Sequence, residues 1–175
     1  MSVSLVGMTQ PSAATGCHTA NQLIAYAARV SNPDNQNNPK TASKLLGYLI
    51  KHEHWSPFEM VSVTMEITTT RDISRQIIRH RSFSFQEFSQ RYAKSTNFET
   101  RECRLQDEKN RQNSIETEDR ELAESWNMAQ KAVINAANDA YQWALENGIA
   151  KEQARAVLPE GNTETTLYMS GTLRS

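Results

Sequence analysis

From Val61 to Thr68 the chain alternates apolar and polar residues without a break, with Val61, Val63, Met65 and Ile67 on one side and Ser62, Thr64, Glu66 and Thr68 on the other. Only an extended backbone puts every second side chain on the same face, so this run is expected to be a half-buried strand. A second long pattern has the other period. Leu122, Trp126, Ala129, Val133, Ala136, Ala140 and Ala144 recur at helical spacing between Thr117 and Asn147, and Gly148 stands where a C-terminal cap belongs. The small residues of this stripe let another helix approach closely, either inside the domain or from a partner subunit.

Shorter signals fill the rest. Residues 3–8 read as a strand, and Pro11, Ser12 and Gly16 mark a turn into an amphipathic helix from Thr19 to Val30. Asn38-Pro39 and Thr41 open a second helix that runs to about His54, with Leu45, Leu46, Leu49 and Ile50 on one face. Asp72 is expected to cap a short helix reaching Arg81, on which Ile73 and Ile77 face one way while Gln76, Arg79 and His80 share another side. Lys94 to Gln112 carries many charges and few apolar anchors, so it reads as a mobile connection and not a packed element. After Gly148 come a short helix ended by Pro159 and a strand from Thr165 to Met169. The whole is an α+β pattern, and 175 residues fit a single domain, 1–175.

Composition narrows the function. A net charge of −1 argues against a surface built for nucleic acid or an anionic membrane. No stretch approaches the ~20 apolar residues that cross a bilayer. Cys17 and Cys103 have no metal-ligand spacing, and no apolar segment follows the N-terminus to suggest export, so a cytoplasmic protein with two free thiols is expected. Neither a P-loop nor a Gly-x-Gly-x-x-Gly run occurs, so a nucleotide must be held by side chains.

Those side chains are concentrated between Gln76 and Tyr92. Arg79, His80, Arg81 and Arg91 lie within thirteen positions, among Phe83, Phe85, Gln86, Glu87, Phe88, Ser89 and Gln90. A guanidinium is a planar fork of donors that matches phosphate oxygens in pairs, so the cluster suits a phosphorylated ligand. Glu87 and Gln86 can fix the edge of a base or orient the arginines. The plain alternative is a surface segment whose basic groups are solvated.

Arg79-His80-Arg81, followed after seven residues by Ser89-Gln90-Arg91-Tyr92, resembles the signature of the flavin-dependent thymidylate synthases. Ala28-Arg29-Val30-Ser31, His54-Trp55-Ser56-Pro57-Phe58-Glu59 and Ala154-Arg155-Ala156-Val157-Leu158-Pro159 resemble further segments of that family, in the same order. The resemblance implies an α+β fold with a mixed or antiparallel sheet packed with long helices, and a homotetramer with shared active sites. It also implies an enzyme that methylates dUMP to dTMP, with FAD as cofactor, 5,10-methylenetetrahydrofolate as carbon donor and NADPH as reductant. Carried over residue by residue, Ser56, Arg79, His80, Arg81, Glu87 and Arg174 meet FAD, whereas Gln76, Arg79, Glu87, Phe88, Ser89, Gln90, Arg91 and Arg155 line the dUMP pocket. The chemistry runs without a protein nucleophile, so Ser89 is expected to bind and not to attack. No catalytic residue is assigned, because the family's arginine for polarising the uracil is expected beyond Ser175. The chain is thus expected to be either a fragment or a naturally short form, and a member that binds FAD and dUMP without turnover is the alternative.

Two rival readings rest on other residues. The aromatic and basic groups around Phe83, Phe85, Phe88 and Tyr92 suit a single-stranded nucleic acid, against which the net charge and the isolation of the cluster weigh. His52, Glu53 and His54, with His80, suggest a metal hydrolase, but His-x-His diverges on either a strand or a helix. His52 is better explained as a helix-end residue near the negative end of the dipole, and no metal is expected.

Overall fold

The structure is a computed structural model that describes residues 1–95 and 97–175. Thr96, within the segment from Lys94 to Gln112, lies outside the described residues. The chain is α+β, and its residues gather into two compact units. One holds Met1–Ile67, Ile77–Glu87 and Thr166–Ser175; the other holds Thr68–Gln76 and Phe88–Thr165.

In the first unit, Thr19 caps the helix α1 (Ala20–Ala28) by accepting from the Gln22 N–H. The helix α2 (Ala42–Lys51) follows two 3-10 turns, each opened by a proline, Pro33 and Pro39. Arg29, itself buried, ties the two helices together, donating to the Asn38 carbonyl at 2.5 Å and to the Thr41 hydroxyl at 2.6 Å. Ala20, Ile24, Leu49, Phe58 and Val61 form the core beneath them. Burying a side chain the size of Ile24 or Leu49 contributes roughly 1.5–3 kcal/mol.

The expected alternating strand is β2 (Ser62–Thr70), and it lies inside a sheet of order β1-β2-β6-β3, with β1 at Ser2–Met8, β3 at Ser84–Glu87 and β6 at Glu164–Thr172. β3 and β6 are antiparallel, with Phe85 opposite Met169 and Glu87 opposite Leu167. The polar face of β2 is also partnered: the Thr64 hydroxyl donates to Ser170 at 3.0 Å, and the Tyr168 phenol donates to Glu66 at 2.7 Å. That hydrogen bond, aided by the carboxylate's charge, raises the Tyr168 pKa above its ordinary value. Gly171 sits where a Cβ would come within 2.4 Å of the Phe83 ring, so its lack of a side chain gives that ring its place.

In the second unit the helix α4 (Arg120–Glu146) matches the long periodic segment, capped by Asp119 through the Leu122 N–H and closed by Gly148 at φ 77°. The residues it buries are Gln130, Tyr141 and Ala144. Tyr141 and Ala144 pack with Ala154 and Leu158, on and just beyond the short helix α5 (Lys151–Ala154). Most of the predicted apolar stripe faces outward, with Val133 54% exposed.

Two expectations are corrected here. The helix begun near Asp72 is α3 (Arg71–Ile77), which ends four residues short of Arg81, so Gln76, Arg79 and His80 do not share a helical face. The two β-branched residues Ile77 and Ile78 are poor helix formers, and the strand β3 follows soon after. Asp72 does not cap the helix with its side chain, which is engaged by the Thr70 hydroxyl at 2.5 Å and by Arg101 at 2.7 Å. The segment from Lys94 to Gln112 does pack. Phe98 bridges to Thr163, Ser95 is buried with its N–H on the Tyr141 hydroxyl, and β4 (Arg104–Gln106) pairs with β5 (Ser114–Glu116). The intervening turn closes on Asp107, whose carboxyl is held below its usual pKa by Asn113 and by the Lys109 and Asn110 N–H groups.

The anchor for this segment is polar, which is why counting apolar residues missed it. Gln130, 5% exposed, accepts from the Arg101 N–H at 2.7 Å and donates to the Arg101 carbonyl at 2.9 Å. Gln130→Leu should orphan both backbone groups and cost roughly 2–6 kcal/mol, since each buried unpaired group costs about 1–3 kcal/mol. Urea unfolding checks this, and a loss below about 0.5 kcal/mol would show that Gln130 is not the anchor.

Candidate functional site

The residues expected around a flavin all fall in the first unit. The peptide from Ser56 to Met60 is a 3-10 turn opened by Pro57, and it leaves Ser56 on an open cleft of ≈ 460 Å³. Glu53, His54, Trp55 and Arg174 also line this cleft. Arg174 is held there by an ion pair with Glu59. Glu53 is the only non-glycine residue at positive φ among the described residues, at 57°, where it closes the end of α2 as glycine usually does. Ser56 and Arg174 are therefore brought together.

Arg79, His80 and Arg81 lie in the exposed turn between α3 and β3. The His80 N–H closes onto the Ile77 carbonyl at 3.1 Å, and its ring lies 4.8 Å from the Phe83 ring, which in turn neighbours Phe85 at 6.4 Å. The Ser82 N–H points at His80 Nδ1 at 3.4 Å. Neither Arg79 nor Arg81 has an ion-pair partner among the described residues. Glu87 ends β3, half-buried. None of these four residues lines the Ser56 cleft.

Of the residues expected around the nucleotide, Arg79 and Glu87 belong to the first unit, and Gln76, Phe88, Ser89, Gln90, Arg91 and Arg155 to the second. The Ser89 carbonyl accepts from both the Tyr92 and Ala93 N–H groups at 3.1 Å, a tight turn that exposes Arg91. The Arg91 guanidinium lies over the Tyr92 ring, 5.7 Å from its centre. Gln90 is 4% exposed, and its Nε2 has no hydrogen-bond partner among the described residues. A buried donor left open costs about 1–3 kcal/mol, so an acceptor arriving there is favoured. Gln76 is exposed on the last turn of α3, and Phe88 is exposed. Arg155 is half-buried, with Nε on the Glu152 carbonyl at 3.2 Å.

Arg91 opens onto a second cleft of ≈ 650 Å³, whose other lining residues include Lys94, Glu146, Lys151 and Glu152. Neither lysine carried a signal in the sequence, where each reads as an ordinary surface lysine. The Lys151 ammonium donates to the Tyr92 carbonyl at 3.0 Å.

His52 stacks on Tyr48 at 4.2 Å and lies 6.3 Å from His54, and the described residues contain no group of three metal-donor side chains. No helix among them is long and apolar enough to cross a membrane.

Comparison with known proteins bears on the same segments. The family described as thymidylate synthase complementing protein matches residues 14–175. The chain is 52% identical over 177 residues to a probable flavin-dependent thymidylate synthase of Paramecium bursaria Chlorella virus 1, covering 99% of this chain and 80% of that protein. It is 56% identical over 153 residues to the flavin-dependent thymidylate synthase of Synechocystis sp., covering 87% and 70%. Among solved structures it resembles the UMP/dUMP methylase PolB from Streptomyces cacaoi bound with 5-Br dUMP, at TM-score 0.77 and 28% identity over 98% of this chain and 72% of that one. The same methylase bound with 5-Br UMP gives a TM-score of 0.79 at 27% identity, over 98% and 71%. With the family spanning nearly all of its length and more than half of the aligned residues shared with two such proteins, the chain belongs to the thymidylate synthase complementing protein family, that of the flavin-dependent thymidylate synthases.

Proposed function

We propose that this protein, as one synthase domain, methylates dUMP to dTMP, holding FAD as cofactor and using 5,10-methylenetetrahydrofolate as carbon donor and NADPH as reductant. The observation that carries the proposal is the set of open donors in the motif. Arg79, Arg81 and Arg91 have no acidic partner among the described residues, and the buried Gln90 Nε2 has no acceptor. Donors left open in this number suit a ligand that brings its own phosphates and carbonyls.

The residues present fit FAD by their chemistry. Arg79 and Arg81 offer paired donors for a pyrophosphate, His80 on its Phe83 support offers a flat polar ring, and Ser56 and Arg174 offer donors from the cleft they share. Glu87 stands at the end of β3 as an acceptor. When bound and reduced, the flavin supplies the hydride that completes the methyl group. The protein's own residues bind and orient: Arg91 and Arg155 take the nucleotide phosphate, and Gln76, Arg79, Glu87, Phe88, Ser89 and Gln90 hold the rest of dUMP. Among the described residues no histidine hydrogen-bonds the Ser89 hydroxyl, which agrees with a binding role. The solved methylase with 5-Br dUMP supports a pyrimidine nucleotide as the substrate.

We also propose a homotetramer with shared active sites, working in the cytoplasm. Its support is the apolar surface the single chain leaves open: Leu122, Trp126, Met128, Val133 and Trp143 on α4, and Val3, Leu5 and Val6 on β1. Exposed apolar side chains in such numbers mark an association surface.

Two outcomes are expected. The purified 175-residue chain supplied with FAD should show flavin absorption that dUMP perturbs and that NADPH bleaches without air, and it should form dTMP once methylenetetrahydrofolate is added. Protein that takes up no FAD and ignores dUMP contradicts the proposal, and binding without dTMP leaves a ligand-binding member that has lost turnover. Light scattering should give four times the 19.8 kDa chain mass, and Val133→Glu should lower it. A monomeric parent protein at micromolar concentration would sink the tetramer, and recovery at the membrane on cell fractionation would sink the cytoplasmic placement.

A further inference from the structure

The cleft beside Arg91 has a balance of charge that one arginine does not explain. Glu146 and Glu152 line it, and α4 ends there with its negative pole, at Asn147 and Gly148. Two carboxylates and a helix end carrying roughly half a negative charge outweigh a single guanidinium. With Arg91 alone the cleft is negative and repels a phosphate. Lys94 and Lys151 turn the sign.

Neither lysine is consumed by the acids around it. No ion pair joins Lys94, Lys151 or Arg91 to Glu146 or Glu152 among the described residues. Lys151 spends one of its three donors on the Tyr92 carbonyl, the residue next to Arg91. It begins α5, four residues before Arg155, whose Nε is fixed to the Glu152 carbonyl in the same turn. One ammonium thus ties the segment that carries Arg91 to the segment that carries Arg155, and keeps two donors for a ligand.

We propose that this cleft receives the 5′-phosphate dianion of the nucleotide, with Lys94 as a binding residue and Lys151 as both a binding residue and the positioning residue that spaces Arg91 from Arg155. The inference rests on the proposed dUMP site and adds to it two residues and a reason. A phosphate monoester carries nearly two charges at neutral pH, so it gains most from the reversal of sign and loses most when the reversal is undone.

The test is calorimetric titration of the 175-residue chain with dUMP, deoxyuridine and inorganic phosphate. Lys94→Met and Lys151→Met should each weaken dUMP by about tenfold or more, the scale of one charge-assisted contact, and leave deoxyuridine unchanged. Lys151→Arg, which keeps the charge and the donors, should recover most of the loss. Equal weakening of dUMP and deoxyuridine means that the lysines act on folding alone, and unchanged dUMP affinity means that the cleft is not used; either overturns the inference. Should Lys151→Met fail to fold, Lys94→Met and Lys151→Arg decide by the same criteria. If the parent protein binds no dUMP but binds inorganic phosphate in a manner lost in Lys94→Met, the nucleotide reading falls and the anion site stands. If it binds neither, both fall.

Discussion

Arg101 holds the second unit together from its middle. Its guanidinium reaches Thr70 and, at 2.7 Å, Asp72, where β2 gives way to α3, while its backbone is gripped on both sides by Gln130 of α4. Asn162 adds to the same node by donating to Gln130 at 3.3 Å and to the Glu99 carbonyl at 3.0 Å. The guanidinium is half-buried, and hydroxyl, carboxylate and the Gly161 carbonyl meet its donors together. The start of α3, the segment after the motif and the long helix are therefore set by one polar cluster, not by an apolar core, whose buried members in this unit are few.

This division explains what was legible in the sequence. Period reveals elements whose side chains sort by polarity, so β2, α1 and α4 were readable to within a few residues, and Thr19 and Gly148 marked two helix ends. Period says nothing of elements held by hydrogen bonds. Ser95, Phe98 and Arg101 sit in a charged segment that looks loose, and only the partners Thr163, Tyr141 and Gln130, distant in sequence, make it pack. The stripe on α4 shows the opposite limit: its spacing identified a helix face, but the buried positions proved to be Gln130, Tyr141 and Ala144.

The candidate site divides in the same way. The run from Arg79 to Tyr92 was found because its residue types are dense and specific. Where those residues stand was not readable, since α3 stops at Ile77 and leaves Arg79, His80 and Arg81 in a turn. Ser56 and Arg174, far apart in sequence, share one cleft, and Lys94 and Lys151 gain meaning only because folding sets them beside Arg91. An isolated lysine has no pattern to detect. Its neighbours and its one fixed hydrogen bond give it a role.

The central claim is that a flavin cofactor and a pyrimidine nucleotide are taken by two overlapping sets of residues in this chain, which share Arg79 and Glu87. Hydrogen–deuterium exchange, read peptide by peptide with each ligand added alone to the 175-residue chain, tests it most directly. The account predicts that FAD alone slows exchange in 53–60 and around Arg174, that dUMP alone slows it in 88–95 and 148–157, and that each slows it in 76–87, where the shared residues Arg79 and Glu87 stand. Protection by both ligands confined to the same peptides, or protection by neither, would contradict it.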